Sequence, residues 1–198
     1  MTGKEAEETL GVIRTLMERS TCYTHLSAHA GLAAGGITLV GSALRLWLHT
    51  PFVATWIGVL FAAAGAVIYF QAAIARQNQE PLWTRQARTV VMSLTPAFIS
   101  GLVLTAVLSR AGLESLLPGV WMLLWGVGAL AMSFFTPRVI SLLGLAFLGC
   151  GTAMLVLGPN LSDAASMGLT FGAIHLVYGI GLALAREPVY STRPVSPS

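Results

Sequence analysis

The sequence predicts an all-α, polytopic membrane protein of six transmembrane helices, preceded by an interfacial helix and carrying signs of an inverted three-plus-three repeat. Three observations predict it. The chain of 198 residues is 55 % hydrophobic and only 10 % charged, whereas about a quarter of the residues in soluble domains are charged. The charges gather at the ends and in the connections, leaving apolar runs at Leu26–Leu48, Phe52–Ala73, Thr89–Leu108, Gly119–Phe135, Val139–Leu157 and Met167–Ala185. Each run is close to the roughly 17–25 residues that cross the hydrocarbon as a helix. Finally, with a cytoplasmic N-terminus, six spans leave Lys4, Arg14, Arg19, Arg76, Arg85, Arg88, Arg138, Arg186 and Arg193 inside and only Arg45 and Arg110 outside, the bias that orients membrane proteins. Both termini are therefore expected in the cytoplasm.

Taken in order, residues 1–22 read as an amphipathic segment. Over Lys4–Thr21, Leu10, Ile13 and Met17 form an apolar stripe while Glu7, Glu8, Arg14 and Glu18 lie largely elsewhere, which suits a helix lying flat on the membrane surface. Docking to a soluble partner is the competing use of such a face. The mixed charge and the late start of the first apolar run argue against a cleavable signal peptide. Residues 23–186 are read as the six-helix domain and 187–198 as a flexible cytoplasmic tail.

The first span is rich in Gly, Ser and Thr and ends in Arg45, so it is expected to pack on other helices, with Arg45 snorkelling to the outer interface. At 100° per residue, Cys22, His25 and His29 fall within an arc of about 60°, and Ala28, Gly31 and Gly35 lie roughly opposite. If the small-residue face packs inward, His29 points outward, and Gly36, Val40 and Ala43 continue its stripe. Cys22, His25 and His29 offer one thiol and two imidazoles, a set that suits zinc or copper but lacks a fourth ligand. Ordinary interfacial residues are the simpler reading of Cys22 and His25.

The Arg76–Arg88 connection, with Trp83 among its Arg residues, suits the lipid headgroup zone. The fourth run is short enough for a re-entrant segment but is counted as a span, with Trp121 as an interfacial belt residue. In the sixth, Gly168 and Gly172 repeat the GxxxG spacing of Gly31 and Gly35, which marks helix seams within the chain or between copies. His175 falls at hydrocarbon depth, where an unpaired polar group is costly; Tyr178 or a neighbouring helix would satisfy it. His29, His175 and His25 are the candidate cofactor ligands, since an imidazole beside a flat apolar wall is what a haem or chlorophyll-type tetrapyrrole requires.

Shifting the chain by 86 residues aligns Ala43, Leu44, Thr50, Pro51, Val53, Gly58, Phe61 and Gly65 with Ala129, Leu130, Thr136, Pro137, Val139, Gly144, Phe147 and Gly151. The match covers a whole turn between two spans. Three spans per half place one Thr-Pro corner outside and the other inside, so the halves are inverted. The third and sixth spans show no convincing ungapped match.

Ile13–Gly35 resembles the opening of a group of bacterial multipass membrane proteins that begin with a short amphipathic helix containing Met-Glu-Arg-Ser and continue into Leu-Ser and Gly-rich sequence. The matching residues are Met17, Glu18, Arg19, Ser20, Leu26, Ser27, Gly31 and Gly35. The resemblance implies a bacterial cytoplasmic membrane rather than an activity. The group carries small or hydroxyl residues where this chain has His25 and His29.

The composition excludes several classes. Cys22 and Cys150 lie at different depths and make no disulfide framework. The net charge of +3 comes from dispersed Arg residues, unlike a nucleic-acid footprint. No Asp, Glu or Lys falls inside a predicted span, which lowers the weight of ion-coupled transport, and no nucleophile lies beside a base and an orienting acid. The leading expectation is a non-enzymatic membrane subunit that meets lipid and other subunits or copies of itself and binds a hydrophobic cofactor, a haem or a chlorophyll- or carotenoid-type pigment, through an intramembrane His. A channel, flippase or facilitator for a neutral or lipid-like solute is the alternative, and a sensor contacting a cytoplasmic regulator is the third.

Overall fold

A computed structural model describes residues 27–158 and 161–184. The predicted interfacial helix, Cys22, His25 and the tail at 187–198 lie outside the described residues. Six helices long and apolar enough to cross a membrane account for the rest: α1 (Ala28–Leu48), α2 (Phe52–Gln77), α3 (Arg85–Arg110), α4 (Leu117–Ser133), α5 (Val139–Leu157) and α6 (Asp163–Leu184). A 3₁₀ turn, Glu114–Leu116, leads into α4, which makes the fourth span continuous over Glu114–Ser133 rather than re-entrant. The molecule is thus the all-α six-span body that the apolar runs predict.

The boundaries have local causes. Ser27 caps α1 by accepting from the Ala30 N–H at 3.2 Å, and Thr84 and Ser162 do the same for α3 and α6 at 3.1 and 3.2 Å, each satisfying an orphan donor of a first turn. The first helix stops at His49, which sits in the left-handed region at φ 51°; Thr50-Pro51 follows, and proline disfavours helix in the residue before it. Hydroxyls within spans bond back to their own helix, Thr38 to Ala34 O, Ser42 to Thr38 O and Thr105 to Gly101 O. Those bonds keep polar side chains tolerable where no water can serve them.

The sixth span begins at Asp163, one turn earlier than its apolar run. Here the structure corrects the expectation for Arg45. Its guanidinium donates through Nε to Asp163 Oδ2 at 2.8 Å and through Nη1 to the Thr50 carbonyl, and its carbon lies 5.9 Å from the Phe52 ring centre. It does not snorkel as a lone charge; it ties α1, the Thr-Pro corner and α6 together at one end of the bundle. Trp121 lies against α3 at Gly101 and donates Nε1–H to Thr105 Oγ1 at 2.9 Å.

Close packing runs through small residues, which substitute for the hydrophobic effect where the surrounding solvent is itself apolar. A Cβ on Gly35 would stand 2.8 Å from the Gly172 carbonyl oxygen, and one on Gly179 would stand 2.7 Å from Leu32 N. Gly126 and Gly144, like Gly119 and Gly151, are equally close across α4 and α5. The GxxxG pairs are therefore seams within the chain, α1 against α6.

The helix pairings, though not the depth of burial, have the exchange symmetry of two three-helix halves. The first helix packs on α2 and α6, and α4 packs on α5 and α3. Exchanging α1 with α4, α2 with α5 and α3 with α6 leaves those pairings unchanged. The faces agree on one side as well: Gly35 and Ser42 of α1 meet α6 at Gly172 and Gly168, and their counterparts Trp121 and Gly128 of α4 meet α3 at Gly101 and at Leu94 and Ala97. The outer helices α2 and α3 have almost none of their length buried.

Candidate functional site at the junction of the halves

The halves α1–α3 and α4–α6 meet along α1 against α6 and α3 against α4, and within the second half α6 faces α4 and α5. A π-helical segment, Gly168–Gly172, widens α6 there, a local feature often found at functional positions. Phe171 closes that segment with Gly172, and His175 lies one turn further on. Its ring is 5.7 Å from Trp125 and 5.5 Å from Phe147, and it is stacked on Phe171 at 6.2 Å with an interplanar angle of 13°. Phe147 and Phe171 are themselves 4.7 Å apart, and Phe98 of α3 meets the Trp125 edge at 5.7 Å. The result is a ring cluster fed by four helices and spanning both halves.

Hydrogen bonding sets the polarity of this cluster. His175 Nδ1 lies 2.7 Å from the Phe171 carbonyl oxygen. A carbonyl only accepts, so Nδ1 carries the proton, and in the neutral form of the ring the lone pair is the one at Nε2. The partner of His175 is thus its own backbone rather than Tyr178, which packs against Gly31. Beside it, the Trp125 indole N–H is buried with no hydrogen-bond partner. The same holds for Trp56 Nε1, Gln71 Oε1, Ser109 Oγ and Ser166 Oγ. These atoms lack partners among the described residues, and a buried donor or acceptor left unmade costs about 1–3 kcal/mol.

His29 is placed differently. It stands exposed on α1, with its ring 5.8 Å from Phe70 of α2 at an interplanar angle of 22°. Gly31 and Gly35 are buried on the other side, Val40 and Ala43 are exposed, and nothing lies within 4 Å of where a Gly36 side chain would be. The outward stripe predicted from the sequence is therefore present. The described residues do not unite His29 with His175, and no group of three metal-ligating side chains occurs among them.

At the Arg45 end, an open crevice of about 270 Å³ is lined by Arg45, Leu46, His49, Ser162, Asp163 and Ala164. Sequence reasoning missed Asp163 because the apolar run was started at Met167. Ser162-Asp163, a capping residue followed by an acidic one, was the available signal for an earlier helix start. Trp125 carries no comparable signal, since a sequence does not tell which indole N–H will lack a partner. No family model matches the chain, and no curated protein or solved structure is detectably similar to it.

Proposed function

We propose that this integral membrane protein is a small facilitator or flippase for a neutral or lipid-like solute, handled at the junction of its two inverted halves. The observation that carries the reading is the exchange relation in the helix packing, with α1 and α4 each holding one outer helix and one inner partner. In transporters built from inverted repeats, the solute site lies near mid-membrane between the repeats and one repeat moves against the other. The ring cluster touches both halves at the α3–α4 contact, drawing Phe98 from the first and Trp125, Phe147, Phe171 and His175 from the second. Its unpartnered Trp125 N–H, beside an imidazole lone pair, offers one donor and one acceptor within apolar walls, a combination suited to an uncharged solute with a single polar group. The reading is non-catalytic, and it sets the protein in a bacterial cytoplasmic membrane with both termini inside.

Purified protein in liposomes tests it. Flux of a panel of uncharged solutes and of a fluorescent lipid should exceed that of empty liposomes, and Trp125→Phe should reduce the excess without reducing the folded fraction. Absence of flux across the panel would remove the proposal.

A second reading keeps the cofactor at His29, favoured by an exposed imidazole stacked on Phe70 with open space at Gly36. A tetrapyrrole axially bound there would lie on the lipid-facing side, and the chain would serve as a pigment or haem subunit beside other membrane proteins. The enclosed His175 supports this less, since Trp125, Phe147 and Phe171 already surround its ring. A visible absorption band in natively purified protein that disappears in His29→Leu would establish the second reading in place of the first.

A further inference from the structure

The repeat assigns α2 and α5 the same sequence pattern, yet they bury opposite faces. The buried residues of α5 are Ile140, Leu143, Gly144, Phe147 and Gly151. Their counterparts at the 86-residue shift, Ala54, Ile57, Gly58, Phe61 and Gly65, are all exposed. Conversely, α2 buries Phe52 and Trp56, whose counterparts Arg138 and Leu142 are exposed. Phe147 is 0 % exposed and Phe61 is 72 % exposed.

The distances say the same. A Cβ on Gly144 would be 2.9 Å from Leu130 Cγ and 3.1 Å from the Gly126 oxygen, and one on Gly151 would be 2.9 Å from the Gly119 oxygen. At Gly58 and at Gly65 nothing lies within 4 Å. The face of α1 that would complete a matching seam is free too: Val40, counterpart of Gly126, is exposed, and Gly36 on the same stripe meets nothing. Instead α2 touches α1 through Val59 against Gly41 and through Phe70 against His29.

We infer that the α1–α2 hairpin has a second packing, in which α2 moves around α1 until Gly58 and Gly65 seat on Val40 and Ala33 as Gly144 and Gly151 seat on Gly126 and Gly119. The two hairpins then hold the open and closed forms of one device, and α2 is its moving part. Past its first turns, where Phe52 and Trp56 are buried with Leu117 and Met167 and form the pivot, α2 has α1 as its one close neighbour and a lipid surround equally apolar on every side, so little burial in water opposes the swing. The inference goes beyond the proposed function and does not depend on which solute, if any, is carried.

Thiol cross-linking in native membranes tests it with the full chain, after Cys22→Ser and Cys150→Ser. Val40→Cys with Gly58→Cys reports the second packing, and His29→Cys with Phe70→Cys reports the one described. Both pairs should give an intrachain product with a short bifunctional maleimide, the Val40/Gly58 product accumulating with time. Adding Gly65→Leu should reduce the Val40/Gly58 product severalfold and leave the His29/Phe70 product unchanged, since position 65 has open space in one form and none in the other. Reaction of the His29/Phe70 pair alone would overturn the inference. So would a Val40/Gly58 product formed between chains, or one insensitive to Gly65→Leu.

Discussion

The Arg45 guanidinium meets the Asp163 carboxylate at 2.8 Å across 118 residues of chain, joining the end of the first span to the start of the last. This is possible only if both lie on the same side of the membrane, which six alternating spans require. Each side chain is about one fifth exposed, so the pair falls between the exposed limit, worth under about 1 kcal/mol, and the buried limit, where removing one partner costs about 3–5 kcal/mol. Asp163→Asn and Arg45→Gln should each lower stability by about 1–2 kcal/mol by these limits. The double variant should lose little more than the worse single, a coupling that thermal unfolding in detergent would measure.

The glycine seams separate into two groups that substitution should tell apart. Gly126→Ala and Gly35→Ala place a methyl within 2.8–2.9 Å of facing backbone and should cost about 1–3 kcal/mol through overpacking. Gly149→Ala and Gly181→Ala meet nothing within 4 Å and should be neutral or gain up to about 1 kcal/mol, the helix preference for Ala over Gly. Equal losses in both groups would contradict the packing described.

Trp125→Phe removes an unpartnered N–H while keeping an aromatic ring in the cluster. Stability should stay level or rise by up to about 1–3 kcal/mol, the penalty of an unmade buried donor. His175→Leu takes away the donor to the Phe171 carbonyl and should lower stability by about 1 kcal/mol. Denaturant titration monitored by circular dichroism distinguishes the two signs.

Topology is open to direct labelling. With the orientation set by the Lys and Arg bias, a cysteine at Glu80 should react with an impermeant maleimide from the cytoplasmic side and one at Leu113 from the outside. Labelling of both from one side would contradict six spans.

Much of this architecture was legible because membrane helices announce themselves by length and charge exclusion alone. The Ala28/Gly31/Gly35 face could be read as a packing face from spacing, and His29 falls opposite it as the geometry of a helix dictates. The Thr50-Pro51 and Thr136-Pro137 corners fall at corresponding turns, between α1 and α2 and between α4 and α5. Other features depend on partners remote in sequence: Arg45 looked like a solitary charge because Asp163 lay outside the predicted span, and Gly101 and Thr105, which receive Trp121, carry no signal of their own. The π segment at Gly168–Gly172 has no periodic signature in so short a stretch, so the setting of His175 could not be anticipated. Cys22 and His25 lie outside the described residues, and their role in a metal site rests on spacing alone.

The peripheral position of α2 and α3 makes the surrounding lipid part of the fold. Past the Phe52–Trp56 anchor of α2, each is gripped by one neighbour, α1 or α4, and otherwise confined by acyl chains, so tightly solvating detergents would loosen these two while the glycine-zipped pairs survive. Bilayer thickness and lateral pressure then become determinants of shape for this chain, and its conformation would respond to membrane composition without any ligand being bound.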